Sequence, residues 1–287
     1  VSERAWFGND GDSDEGGAPP PVTRRRSPLG VTLVVLAALV IAVSALAQVW
    51  TEVLWFDSVH YLSVFGTQVG AQVLLGVVGG VIPAALVWAG LYFGHRSRPV
   101  YPPSTPQQEA LDRYREALEP IRRLATIAVP LLVGLASGAA ASQQWEVYLL
   151  WRNQQPFGVT DPQFDTDLGF FVFSLPWFTY VVGFLTMAFV LGTVAAAFTH
   201  YVYGGLQLAD RGRGTTRFAF GHLAGLFAVI LLLRAAAYWL DRYSLSLSTS
   251  DLMTGVQYTD ATAVLPTKAI LAVASIMCAA MFLSVIW

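Results

Sequence analysis

The sequence predicts an all-α, polytopic helical membrane protein with six transmembrane helices, and three observations carry that prediction. Hydrophobic residues make up 55% of the chain and charged ones 13%, about half the charge (typically about 25%) of a water-facing domain; mean hydropathy is +0.53. The apolar residues gather in runs of about 18 to 25, the length at which a helix crosses a hydrocarbon core of about 30 Å. The arginines, in turn, gather on alternate connections between those runs.

Residues 1–28 are rich in Gly, Asp, Ser and Pro and have little to bury, so they are expected to form a disordered cytoplasmic tail; the helical transmembrane domain is expected over 29–287. The tail ends in "TRRRSP" and leads into the first run, 29–49, which lacks a small-residue cleavage site and is long enough to be a retained span. The other spans are expected at 69–93, 124–141, 177–198, 218–239 and 269–287. Pro83 and Pro130 fall inside spans, where neighbouring groups re-satisfy the carbonyl that proline frees. Two aromatic segments, Trp50 to Tyr61 and Trp145 to Trp151, are expected as short helices along the outer interface, where such rings keep a polar edge wet. Between the second and third spans, "RSRPVYPPSTPQQEALDRYREALEPIRR" reads as a Pro-rich linker followed by an amphipathic helix. Its basic residues suit anionic lipid, and a cytoplasmic regulator is the alternative partner. The chain stops at Trp287 within an apolar run, which leads to the expectation that a C-terminal portion follows.

Thirteen of the 17 basic residues lie in the tail and in the second-to-third and fourth-to-fifth connections. The positive-inside rule places that side in the cytoplasm. The opposite connections carry only Arg152, Arg242 and Lys268, with Arg234 inside the fifth span. A net charge of −2 argues against a nucleic-acid partner. The single cysteine, Cys278, lies in an apolar run, which excludes an internal disulfide and a Cys-based metal site.

Candidate chemistry is sparse. "PFGVTDPQFDTDLGFFVFSLPW" holds Asp161, Asp165 and Asp167 in seven residues on the outer side. Asp before Pro or Thr favours turns and helix caps, so capping is the leading reading, ahead of a docking surface or Ca²⁺ ligation. The segment lacks the D-x-D-x-D-G order of a calcium loop. Arg234 is an ionisable group within a span and hence a functional candidate. It can snorkel outward, or pair with Asp241 two turns along the same face. A substrate or ion path is the third option. His222 and His200 sit near the inner boundary as interface histidines, with a proton relay as the alternative. Enzyme signatures fail: there is no H-E-x-x-H and no G-x-x-x-x-G-K-[ST]. "GLASG" lacks the G-x-S-x-G spacing and reads as small residues for helix packing. No catalytic residue, cofactor or metal is expected.

"EVLWFDSVHYLSVF", "LDRYREALEPIRR", "LLWRNQQPFGVTDPQFDTDLGFFVFSLPW", "HYVYGGLQL", "AAAYWLDRYSL" and "TGVQYTDATAVLPTKAIL" together resemble the UPF0182 family of bacterial membrane proteins. The resemblance runs in order from about Trp50 to Trp287. It implies about seven N-terminal helices followed by a large extracytoplasmic region, and it implies no biochemical activity. The expected role is a non-catalytic anchor or scaffold in the bacterial plasma membrane, N-terminus cytoplasmic. Its expected partners are the lipid bilayer, the extracytoplasmic region of its own chain and other envelope proteins. The alternative is a transporter or channel with a polar path near Arg234 and His222.

Overall fold

The computed structural model describes residues 28–97, 106–206, 215–249, 254–284 and 286, with the side chains of 28, 29, 31, 106–119 and 121 left aside. The expected tail (all but residue 28), the Pro-rich linker and the loop carrying Arg211 and Arg213 lie outside the described residues. The chain divides after Leu62 into two compact units.

The first unit presents α1, Pro28–Ser58. "AQVWTEVLWFDS" has no Gly or Pro to break it, and Thr51 Oγ1 donates to the Ala47 carbonyl within it (2.8 Å). The helix therefore continues through the aromatic segment. This corrects the expectation of a separate interfacial helix from Trp50 to Tyr61. The chain turns only at His60, which takes the left-handed φ of 59°.

The second unit contains α2 (Leu62–Arg96), α3 (Pro106–Ser142), α4 (Trp145–Arg152), α5 (Leu175–Val202), α6 (Arg217–Tyr243) and α7 (Leu265–Ser284). With α1, six of the described helices are long and apolar enough to cross a membrane, and the chain is an all-α polytopic membrane protein. The amphipathic segment before the third span is continuous with it in α3, running through Pro120. The second aromatic segment does form its own short helix, α4.

Small residues hold the long helices together. Ala71, Leu75, Gly79, Pro83, Val87, Gly90 and Gly94 form one buried stripe along α2, spaced by four or three residues. On α6 the buried residues are again small, Ala219, Ala224, Ala228 and Ala235, and Leu265, Ala272 and Ala279 recur every seventh residue on α7. The larger Leu, Val and Phe side chains of these helices are mostly exposed. Helices in lipid gain little from hiding apolar surface from one another, so contact comes from close backbone approach over small residues. A Cβ on Gly80 would lie 2.9 Å from the Gly134 carbonyl oxygen, joining α2 to α3. On Gly90 it would lie 2.7 Å from that of Gly192, joining α2 to α5.

Helices α5 and α7 are entered in the same way. Each follows a loop with an isolated antiparallel bridge, Thr160 with Asp167 and Thr249 with Thr254. Each loop has a left-handed Gly-Val step, at Gly158 (φ 71°) and Gly255 (φ 109°). A five-residue π-helical turn then follows, Phe170–Ser174 and Asp260–Val264. Each turn passes into a Leu-Pro pair, Leu175–Pro176 and Leu265–Pro266, whose leucine is buried and whose proline is exposed. Proline suits this first turn because its missing N–H would be unpaired there anyway.

Candidate functional site

At the arginine-rich end of the second unit, α5 and α6 bring two histidines together. His200 Nε2 and His222 Nδ1 lie 3.1 Å apart, with the rings edge to face at 5.4 Å. The local sequence builds this contact from both sides. α5 ends at "HYVYGG", where Gly204 takes a left-handed φ of 74° and turns the chain back. The Leu206 N–H then donates to the His200 carbonyl, and the Thr216 N–H to that of Gly205. Thr216 caps α6, its Oγ1 accepting from the Ala219 N–H (3.2 Å), which sets the register that aims His222 at α5.

The two rings differ in exposure. His200 is fully buried, and its Nδ1 has no hydrogen-bond partner. Gly205 walls that side, since a Cβ there would come within 3.1 Å of Nδ1. His222 is half-buried. Phe218 packs against both rings, and Phe93 of α2 meets His222 at 5.8 Å. Beside them His95 bonds to Arg122 across α2 and α3 and meets Tyr203 edge-on. The sequence named His200 and His222 separately and missed both the pairing and the His95–Arg122 link. Position relative to the arginine-rich boundary was the only signal, and it does not encode contact across helices.

The aspartates lie at the other end. Asp167 Oδ1 accepts from the N–H groups of Phe157 (3.0 Å) and Gly169 (2.7 Å), and Oδ2 from that of Gly158 (2.8 Å). Those bonds, Phe157 first, hold its carboxyl below the usual carboxylate value. Asp161 Oδ2 accepts from Gln163 and Phe164, both at 2.9 Å. Two of the three aspartates therefore cap backbone, the leading reading of this stretch. Asp165 corrects it in detail. Its contribution is backbone: a left-handed φ of 50° and an N–H bonded to the Asp161 carbonyl. Phe164 and Phe170 fix the loop against Tyr243 of α6, and Trp151 of α4 stacks on Trp177.

The suggested Arg234–Asp241 pair does not form. Seven residues separate them by about 10 Å along the helix axis, whereas Lys268 reaches across from α7. Its Nζ lies 3.4 Å from Asp241 Oδ2 and donates to the Asp241 carbonyl. Arg234 is exposed, with its guanidinium 4.8 Å from the centre of the Tyr238 ring. The structure thus leaves Arg234 apart from His222, about 18 Å along the axis of α6.

With this geometry in place, comparison with known proteins decides the family. The uncharacterised protein family UPF0182 matches residues 29–287. The chain belongs to the UPF0182 family. A UPF0182 protein of Streptomyces coelicolor is 41% identical over 287 residues, covering 96% of this chain and 29% of that protein. One of Kineococcus radiotolerans is 47% identical over 241 residues, 83% of this chain and 24% of the relative. One of Kocuria rhizophila is 43% identical, covering 90% and 26%. The chain thus spans about a quarter of the length of these UPF0182 relatives. No solved structure matches.

Proposed function

We propose that this helical segment is a non-catalytic membrane anchor that positions an extracytoplasmic region at the bacterial plasma membrane, with its N-terminus in the cytoplasm. The observation that carries this reading is the construction of the aspartate end. Asp161 and Asp167 direct their bonded oxygens to the loop's own N–H groups, and aromatic rings clamp the loop to α6. A loop satisfied internally and fixed to a helix is a stiff support. Exposed Arg234, resting on Tyr238, is placed for headgroup contact. The relatives' greater length gives such a support something to carry.

A second reading has one observation in its favour. The His200–His222 pair is a buried polar contact between two spans, the kind of group found on ion paths. Purified full-length protein in vesicles under imposed proton, sodium and potassium gradients separates the two readings. The anchor reading expects the flux of protein-free vesicles. Flux well above that level, abolished in His222→Gln, would overturn it and establish transport.

A further inference from the structure

The His200–His222 contact requires one nitrogen to carry hydrogen and the other to be bare. Suppose His222 Nδ1 were the donor. Neutral His200 would then carry its hydrogen on Nδ1, where a buried N–H would find no acceptor. A buried, unpaired donor loses its hydration without a compensating bond, and orphaned N–H groups are rarer than under-satisfied acceptors. The other tautomer avoids this: His200 Nε2–H donates to His222 Nδ1, leaving a bare lone pair on His200 Nδ1.

We propose that His200 and His222 form a one-proton site: the neutral pair clamps α5 to α6, and uptake of a proton on His222 Nδ1 releases the clamp. A proton from solvent forms an N–H bond on His222 with the lone pair that had accepted from His200. Two N–H groups then face each other, and the hydrogen bond is gone; it re-forms only if His200 moves its hydrogen to Nδ1, the buried position that has no acceptor. Protonation on His200 Nδ1 would keep the bond, but it would place a cation with an unpaired N–H in a fully buried site. The described surroundings offer that cation nothing. From α2 the neighbours are Phe93 and Gly94, the latter against Thr199. His95, next along, is turned to Arg122 of α3 and to Tyr203. From α6 they are Phe218 and Ala219, preceded by Arg217. Just beyond α7, Ile286, which does not ionise, reaches Gly225, three residues on from His222. Among the described side chains no carboxylate bonds to either histidine, and the charged neighbours are cations. His222, half-buried, is the ring a solvent proton can reach, and histidine changes charge between about pH 5 and 8.

A bridging metal fits less well. A histidine that ligates through Nε2 normally donates its other N–H to a second group, and Nδ1 of His200 has none.

The test is hydrogen exchange read by mass spectrometry on the full-length protein in lipid nanodiscs, over peptides covering 200–206 and 215–225. After correction for intrinsic rates, wild type should exchange about five- to tenfold faster in both peptides at pH 5.5 than at pH 7.5, the loss of one hydrogen bond. In His222→Gln, whose amide cannot take up a proton in this range, that pH response should vanish. His200→Gln is the second variant and should behave alike. Equal pH response in wild type and both variants would overturn the proposal. Protection by added Zn²⁺ at pH 7.5, lost in either variant, would overturn it in favour of a metal site.

Discussion

The two ends of the second unit handle polar groups in opposite ways. At the aspartate end, two carboxylates accept from five backbone N–H groups of their own loop. At the arginine-rich end the polar contacts run between helices, His200 to His222 and His95 to Arg122, and the buried Nδ1 of His200 has no hydrogen-bond partner. A network confined to one loop makes a rigid part. A network between helices with an open valence can exist in two states. The clustering of aspartates drew attention to the first end, whereas the second holds the group with chemistry left to do.

The largest break of this contrast should come from Asp167→Ala, which strips three donors of their acceptor. Amides of Phe157, Gly158 and Gly169 should lose most of their exchange protection, while those of 200–206 stay as in wild type. Loss at both ends together would mean that the ends are coupled. The same residue sharpens the contrast through pH. The folded carboxyl of Asp167 is held below its usual value of 3.8, first by the Phe157 N–H. A group depressed in this way stabilises the fold above its unfolded pKa, and that contribution is lost as pH falls through the folded one. Protection of 157–169 should therefore be flat from pH 8 to 5 and fall only below about 4, near the ordinary carboxylate value. A fall between pH 7 and 5.5 would place a histidine-like titration at the wrong end.

Smaller effects follow in order. Asp165→Val puts a branched side chain at φ 50° and should destabilise by about 1–2 kcal/mol, read as a lower melting temperature. Asp165→Asn should be almost silent, because Asn tolerates the left-handed region. Millimolar calcium should leave the melting curves of wild type and Asp165→Asn unchanged. A calcium-dependent rise that disappears in the variant would make the loop a metal site. Lys268→Met removes a partly exposed ion pair with Asp241 and should cost about 0.2–1 kcal/mol. A loss of several kcal/mol there would show that α6 and α7 depend on the pair.

How much of this was legible in the sequence follows from which features are local. Each of the six spans could be read because apolar length is a property of one segment, and the structure's spans overlap each expected one. The helix ends moved outward, since "VWTEVLWFDS" and "QQEALDRYREALEPIRR" continue helices without a break. Capping by Asp161 and Asp167 was legible because it joins residues within ten positions. The role of Asp165 was not, since a left-handed backbone leaves the same residue type. Pairings across helices were out of reach. His200 meets His222 only after a turn of the chain, and Asp241 could have faced Arg234 or Lys268 equally well on charge alone. The repeated entry into α5 and α7 was hidden because the π turn starts 12 residues after Gly158 but only five after Gly255, so the two loops do not align at one spacing.

The account stands on the two ends lying on opposite sides of the membrane. Single cysteines at Thr160, in the aspartate loop, and at Thr215, just before α6, test that directly in a full-length protein whose Cys278 and any other cysteines are replaced. A membrane-impermeant maleimide applied to intact cells should label the Thr160 position and should reach the Thr215 position only after the cells are opened. Labelling of both from outside, or of Thr215 alone, would contradict the account.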